Sequence, residues 1–110
     1  MQTAHVTSPL WMLTTTYVRP QEEVDALLEA HVAHLERQRE AGRFLAWGRL
    51  VPRTGGFVLA RAADRAEVDA VLAEDPFTSA GVATWTVAQL APSGGDPALV
   101  ALLRGEQPGA

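Results

Sequence analysis

Three observations predict an α+β domain of the ferredoxin-like class. Two runs carry helix start and stop signals: residues 19–42, which open beside Pro20 and stop at Gly42, and residues 64–75, which open on Asp64. Four β-prone stretches flank them, and the Gly-rich turn "PRTGG" joins the middle two. The resulting order, β-α-β-β-α-β, is that of a four-stranded sheet with two helices on one face.

Residues 1–9 read as a lead-in, 10–92 as the domain and 93–110 as a tail. "LWMLTTTYV", 10–18, is rich in β-branched and aromatic residues and predicts the first strand. The first helix, 19–42, has acids in its opening turn, with Arg37 and Arg39 near its C-terminal dipole. "RFLAWGRLV", 43–51, and "FVLARA", 57–62, form a hairpin across the turn at 52–56. Asp64 caps the second helix, with Glu67 three residues on as its capping-box partner. "VATWTVAQL", 82–90, alternates as a fourth strand. After "PSGG", residues 96–105 predict a short terminal helix.

A sheet covered on one face leaves the other bare. That face is expected to carry some of Trp11, Leu13, Trp47, Leu59, Trp85 and Val87, and a second copy packing sheet to sheet would cover it.

Composition removes several functions. The net charge is −4 with no basic stripe, which argues against nucleic acid. All nine basic residues are Arg, so Schiff-base chemistry and a phosphate-loop lysine are absent. There is no Cys, which excludes thiolate catalysis, disulfides and Cys-bound zinc. No stretch approaches the roughly 20 apolar residues of a membrane span, and no signal-peptide pattern opens the chain. A soluble, cytoplasmic protein is expected.

The residues suited to chemistry are few. "EAHVAHLE" places His31 and His34 three apart on the first helix. On a helical wheel Val24, Leu28, His31 and Leu35 share one stripe, and His34 lies at its edge beside Leu27 and Gln38. His31 is therefore expected in the middle of the buried face and His34 at its rim, facing a cleft. Each also has a plain reading as a packed, hydrogen-bonded side chain. A metal is not expected, since "HVAH" lacks the Glu of a zinc-binding helix motif.

"LAEDPFTSAG" raises the same choice for Asp75. The residue before proline avoids the helical region, so the second helix stops near Glu74, and Asp75 is placed to cap a short turn over 77–80. Arg49, Arg53 and Arg61 lie on or between the middle strands, where solvent exposure is the simple reading and a carboxylate anchor the functional one.

The His-Leu at 34–35 followed by Gly42, then "FLAWGRLVPRTGGFVLARA", then "AEDPFTSAG", together resemble the YciI-like (YCII-related) proteins over about residues 10–92. The resemblance implies a dimeric α+β barrel in which two sheets pack face to face. It implies a His–Asp pair in a cleft, carried by position onto His34 and Asp75, with Trp47, Arg49, His31 and Phe77 as candidate pocket residues. Trp47-Gly48-Arg49 stands where many members have a small residue and Gly-Pro, and His31 stands where relatives often have Arg. The implied function is a cofactor-independent, homodimeric small-molecule enzyme of lyase or isomerase type, removing a proton as a dehydrochlorinase or dehydratase does. The alternative is a non-catalytic ligand-binding or accessory barrel. The two differ in whether the pair lies within hydrogen-bond reach beside an open pocket.

Overall fold

In the computed structural model, which describes residues 8–106, four antiparallel strands form one sheet: β1 (Leu10–Tyr17), β2 (Phe44–Arg49), β3 (Gly55–Arg61) and β4 (Ala83–Leu90). The strand order β2-β3-β1-β4 is that of the ferredoxin-like arrangement. Helices α1 (Gln21–Ala26), α2 (Leu28–Glu40), α3 (Arg65–Ala73), α4 (Pro76–Ser79) and α5 (Pro97–Leu103) complete it. Residues 1–7 of the expected lead-in lie outside the described residues. Among the described residues no helix is long and apolar enough to cross a membrane.

The expected single helix over 19–42 is two. Leu27 leaves helical geometry (φ −105°, ψ 0°) between α1 and α2. The break lets the segments serve different clusters. Val24 of α1 packs with Phe77, Val82 and Ala83, while Leu35 of α2 joins Trp11, Leu13, Phe44 and Val58. At its other end α2 stops as its sequence predicts. Gly42 takes a positive φ of 84°, and the N–H groups of Gly42 and Arg43 bond back to the carbonyls of Arg39 and Gln38. This paired capping pattern satisfies carbonyls that the helix end leaves free.

Asp64 caps α3 by accepting from the Glu67 N–H (2.9 Å), and Glu67 reaches back to the Ala63 N–H (2.7 Å). Strand β3 begins two residues earlier than expected, because Gly55 and Gly56 belong to the sheet. A Cβ on Gly55 would sit 1.8 Å from the Thr15 carbonyl oxygen, and one on Gly56 2.5 Å from that of Gly48. Only glycine allows the strands this close.

The assignment of residues to sheet faces needs correction. Trp11 and Leu13 are buried in the core under α2 and α3, and Trp47, Trp85 and Val87 pack against that same core. Of the six residues expected on the open face, only Leu59 is there. The strand register puts it beside Met12 and Ala46, with Thr14, Phe57, Thr86 and Ala88 on the same side. Both sides of β1 carry apolar residues, so alternation alone does not reveal which side the helices cover.

Helix α5 is tied to one end of the open face. Arg61, buried at 4% exposure, donates to the carbonyls of Leu102 and Leu103 at the end of α5 and to that of Ser8. It is a structural clasp, not a carboxylate anchor beside a cleft.

Candidate functional site

A pocket of about 240 Å³ opens between α2 and the covered face of the sheet. Its floor is a single rung of the register: Arg49 of β2, Gly56 of β3, Thr15 of β1 and Trp85 of β4 stand opposite one another across all four strands. Opposite residues in an antiparallel sheet point to the same side. Gly56 contributes no side chain to that rung, and its backbone lines the pocket. Thr15 Oγ1 accepts from the Gly56 N–H (2.8 Å) and holds the two strands in register there.

Trp47 and Tyr17 flank the floor, and Leu28, His31 and Leu35 of α2 form the roof. Trp85 is fixed by its indole N–H, which donates to Thr78 Oγ1 (2.9 Å), tying the floor to α4. The parts played by Gly56, Thr15 and Trp85 are invisible in the one-dimensional sequence, because only the inter-strand register aligns them. The turn glycines of "PRTGG" were the available signal.

The histidine–aspartate pairing differs from the expected one. Asp75 Oδ1 lies 2.9 Å from Nδ1 of His31, not of His34. A carboxylate oxygen accepts only, so His31 carries its proton on Nδ1 and leaves Nε2 unprotonated when the ring is neutral. Nε2 makes no hydrogen bond among the described residues, on a residue that lines the pocket. The His31 side chain is 13% exposed and Asp75 1%, so the ring faces the pocket and the carboxylate stands behind it.

Asp75 keeps its role as punctuation. The same Oδ1 accepts from the Phe77 N–H (2.8 Å), capping α4, with Pro76 in the first turn. Phe77 does not line the pocket. Its ring stacks on His31 at 3.8 Å and 6°, which fixes the plane of the imidazole. Cap, stack and hydrogen bond together hold His31 in one orientation.

His34 lies on the core side of α2. It is 0% exposed, stands edge-on to Phe44, and both ring nitrogens are buried without a partner, as is Asp75 Oδ2. Burial pushes its pKa below the ordinary histidine value, and the nearby Asp75 charge opposes part of that shift. A ring so enclosed does not reach a pocket ligand. The wheel misplaced it because Val24 lies across the break at Leu27, and because buried Gln38 draws the centre of the stripe towards His34.

Two cations stand at the pocket wall. Arg53 donates through Nη2 to Asp25 Oδ1 (2.8 Å) and lies over the Tyr17 ring at 5.6 Å. Arg49 makes no hydrogen bond or ion pair among the described residues. No group of three or more His, Cys, Asp or Glu suited to a metal occurs among those residues either.

A family model described as the YCII-related domain matches residues 10–91. No curated protein matches the chain in sequence. Among solved structures, a 5-chloro-2-hydroxyhydroquinone dehydrochlorinase from Burkholderia phenoliruptrix, in complex with 2,5-dihydroxybenzoquinone, is similar at 23% identity. The match covers 76% of this chain and 95% of that one, with a TM-score of 0.63. A cofactor-independent oxygenase from Streptomyces nogalater matches at 13% identity over 80% of this chain and 95% of its own, with a TM-score of 0.47. The likeness to the dehydrochlorinase shows a shared α+β fold.

Proposed function

The chain belongs to the YCII-related domain family, and on that premise we propose that it is a small-molecule enzyme of lyase or isomerase type that works by proton abstraction. His31 is the general base and Asp75 its orienter. One observation carries the reading: a 2.9 Å Nδ1–Oδ1 contact that leaves Nε2 free at an open pocket.

The chemistry follows from that geometry. Nε2 takes a proton from a carbon beside a carbonyl, the electron pair of the broken C–H bond forms a double bond to the next carbon, and the leaving group departs from that carbon with its bonding pair. A quinol enters this step as its keto tautomer. Asp75 fixes the tautomer and stabilises the imidazolium that results. The dehydrochlorinase named above is one protein of this fold that expels a leaving group, here chloride. The reaction needs no cofactor. His34, enclosed and uncharged, supports the site from behind without touching substrate.

The test is a panel of halogenated and hydroxylated quinols, followed by halide release and ring absorbance. For a compound turned over by the parent, His31→Asn is expected to lower kcat by about 10²–10⁴-fold. Asp75→Asn is expected to lower it too, while His34→Gln leaves Nε2 of His31 in place. Equal turnover by the parent and both dyad variants would end the proposal.

A non-catalytic binder remains the second reading, favoured by one observation: Asp75 is already used as the cap of α4. Ligand binding without turnover by any panel member would select it. In either case the protein is inferred to act as a homodimer through the open sheet face around Leu59, Met12 and Phe57.

A further inference from the structure

The electrostatics of the pocket wall go beyond the proton-transfer reading and bear on what the pocket holds. Its ionisable lining groups are His31, Tyr17, Arg49 and Arg53, and no Asp or Glu lines it. In a chain of net charge −4, a cavity walled by two guanidiniums and no acid is a local reversal of sign. Arg53 is partly committed: Nη2 is held by Asp25, and the side chain also engages Tyr17. Arg49 is wholly uncommitted, although it is close enough to Asp25 to lower that carboxyl's pKa.

The position of Arg49 is set by the sheet. It occupies the floor rung with Gly56, Thr15 and Trp85, at the β2 edge. Gly56 lines the pocket beside it without a side chain of its own. A planar anion bound to Arg49 therefore has its other end over Thr15 and Trp85, beneath the α2 roof that carries His31. Trp47, Trp85 and Tyr17 supply aromatic surface for a ring. A cavity of about 150 Å³ holds a benzene ring, so 240 Å³ has room for one ring with a small substituent.

We propose that the pocket takes a single-ring planar carboxylate, its carboxylate forked on the Arg49 guanidinium with Arg53 as the second cation, and its ring against Trp85 and Trp47. A guanidinium presents paired N–H donors that match a carboxylate's two oxygens, and Lys does not reproduce that fork. This assigns Arg49 as the residue that selects ligand charge. It rests on the same pocket as the proposed reaction, but binding is measured without turnover.

Trp47 and Trp85 make the site self-reporting, so the experiment is a fluorescence and calorimetric titration of the full chain. Benzoate and 2-hydroxybenzoate are compared with benzamide, their uncharged counterpart. Saturable binding of the carboxylates at millimolar concentration or below is expected, weakened by salt. Benzamide and the Arg49→Gln variant are each expected to bind about tenfold or more weakly. Arg49→Lys should recover only part of the loss.

Arg49 is exposed and unpartnered, so the thermal midpoint of Arg49→Gln should match the parent and separate binding loss from misfolding. The His31→Asn variant separates the two proposals: it should still bind benzoate while turning nothing over. Benzamide binding as tightly as benzoate, an unaffected Arg49→Gln, or no saturable carboxylate binding would each overturn the assignment.

Discussion

His31 and His34 show how one helical turn separates two fates for the same side chain. Asp75 and Phe77 clamp His31 from one side and the pocket opens on the other. His34 has neither a hydrogen-bond partner among the described residues nor solvent. Its lowered pKa has a consequence for stability. Because the folded state resists protonating His34, the unfolded chain takes up that proton more readily. The contribution is complete above the unfolded histidine pKa of about 6.5 and is lost as pH falls from there towards the depressed folded value. Urea unfolding at pH 7.5 and pH 5 should therefore show a drop in midpoint. A His34→Leu variant, similar in volume and without an ionisable ring, should show a smaller drop. An equal drop would assign the acid sensitivity to other groups. Asp75 was legible in the sequence as a cap, from the chemistry of Asp-Pro alone. Its histidine was not, because no Gly or Pro at Leu27 announces the break that resets the helical wheel.

At the level of elements, α2 and the start of β3 set the dimensions of the site. Leu35 is buried in the core while Leu28 only partly so, at the pocket roof. Leu35→Ala is expected to cost about 2–5 kcal/mol and Leu28→Ala less than about 2 kcal/mol, since the pocket already leaves Leu28 short of neighbours. Denaturant midpoints of the two variants measure the difference, and equal costs would contradict this placement of α2. The glycine pair makes a sharper case. Gly55→Ala would drive a methyl into the Thr15 backbone, which strand separation alone relieves, so a loss of about 1–3 kcal/mol or more is expected. Gly56→Ala adds a second consequence, because its methyl would meet the Gly48 carbonyl oxygen and push apart two strands that both line the pocket. It should weaken ligand binding as well as stability, whereas a stable Gly56→Ala with unchanged binding would remove Gly56 from the site. The order of strands and helices was readable from periodicity and capping residues. The alignment of Arg49, Gly56, Thr15 and Trp85 was not, because it exists only once three pairs of strands have chosen a register.

At the scale of the molecule, the helices cover the side of the sheet that carries the three tryptophans and leave the other side to Met12, Thr14, Phe57, Leu59, Thr86 and Ala88. This open side is less apolar than the sequence suggested, with Thr and Ala in place of the three tryptophans. Met12, Phe57 and Leu59 nonetheless give that face an apolar centre, and two such sheet faces pack by interdigitating their side chains. Arg61 holds α5 at one end of that face, so in the proposed homodimer a partner sheet would meet the remainder, beside the exposed Leu99 and Leu102. A stable dimer needs about 800 Å² buried per partner. Light scattering on the eluted protein should give twice the chain mass, and Leu59→Arg, which places a charge in the middle of the face, should give one chain mass with its far-UV spectrum retained. The pocket opens on the opposite side of the sheet, so the monomeric variant should still bind a pocket ligand. A parent that elutes as a monomer, or a Leu59→Arg protein that stays dimeric, would place the contact elsewhere.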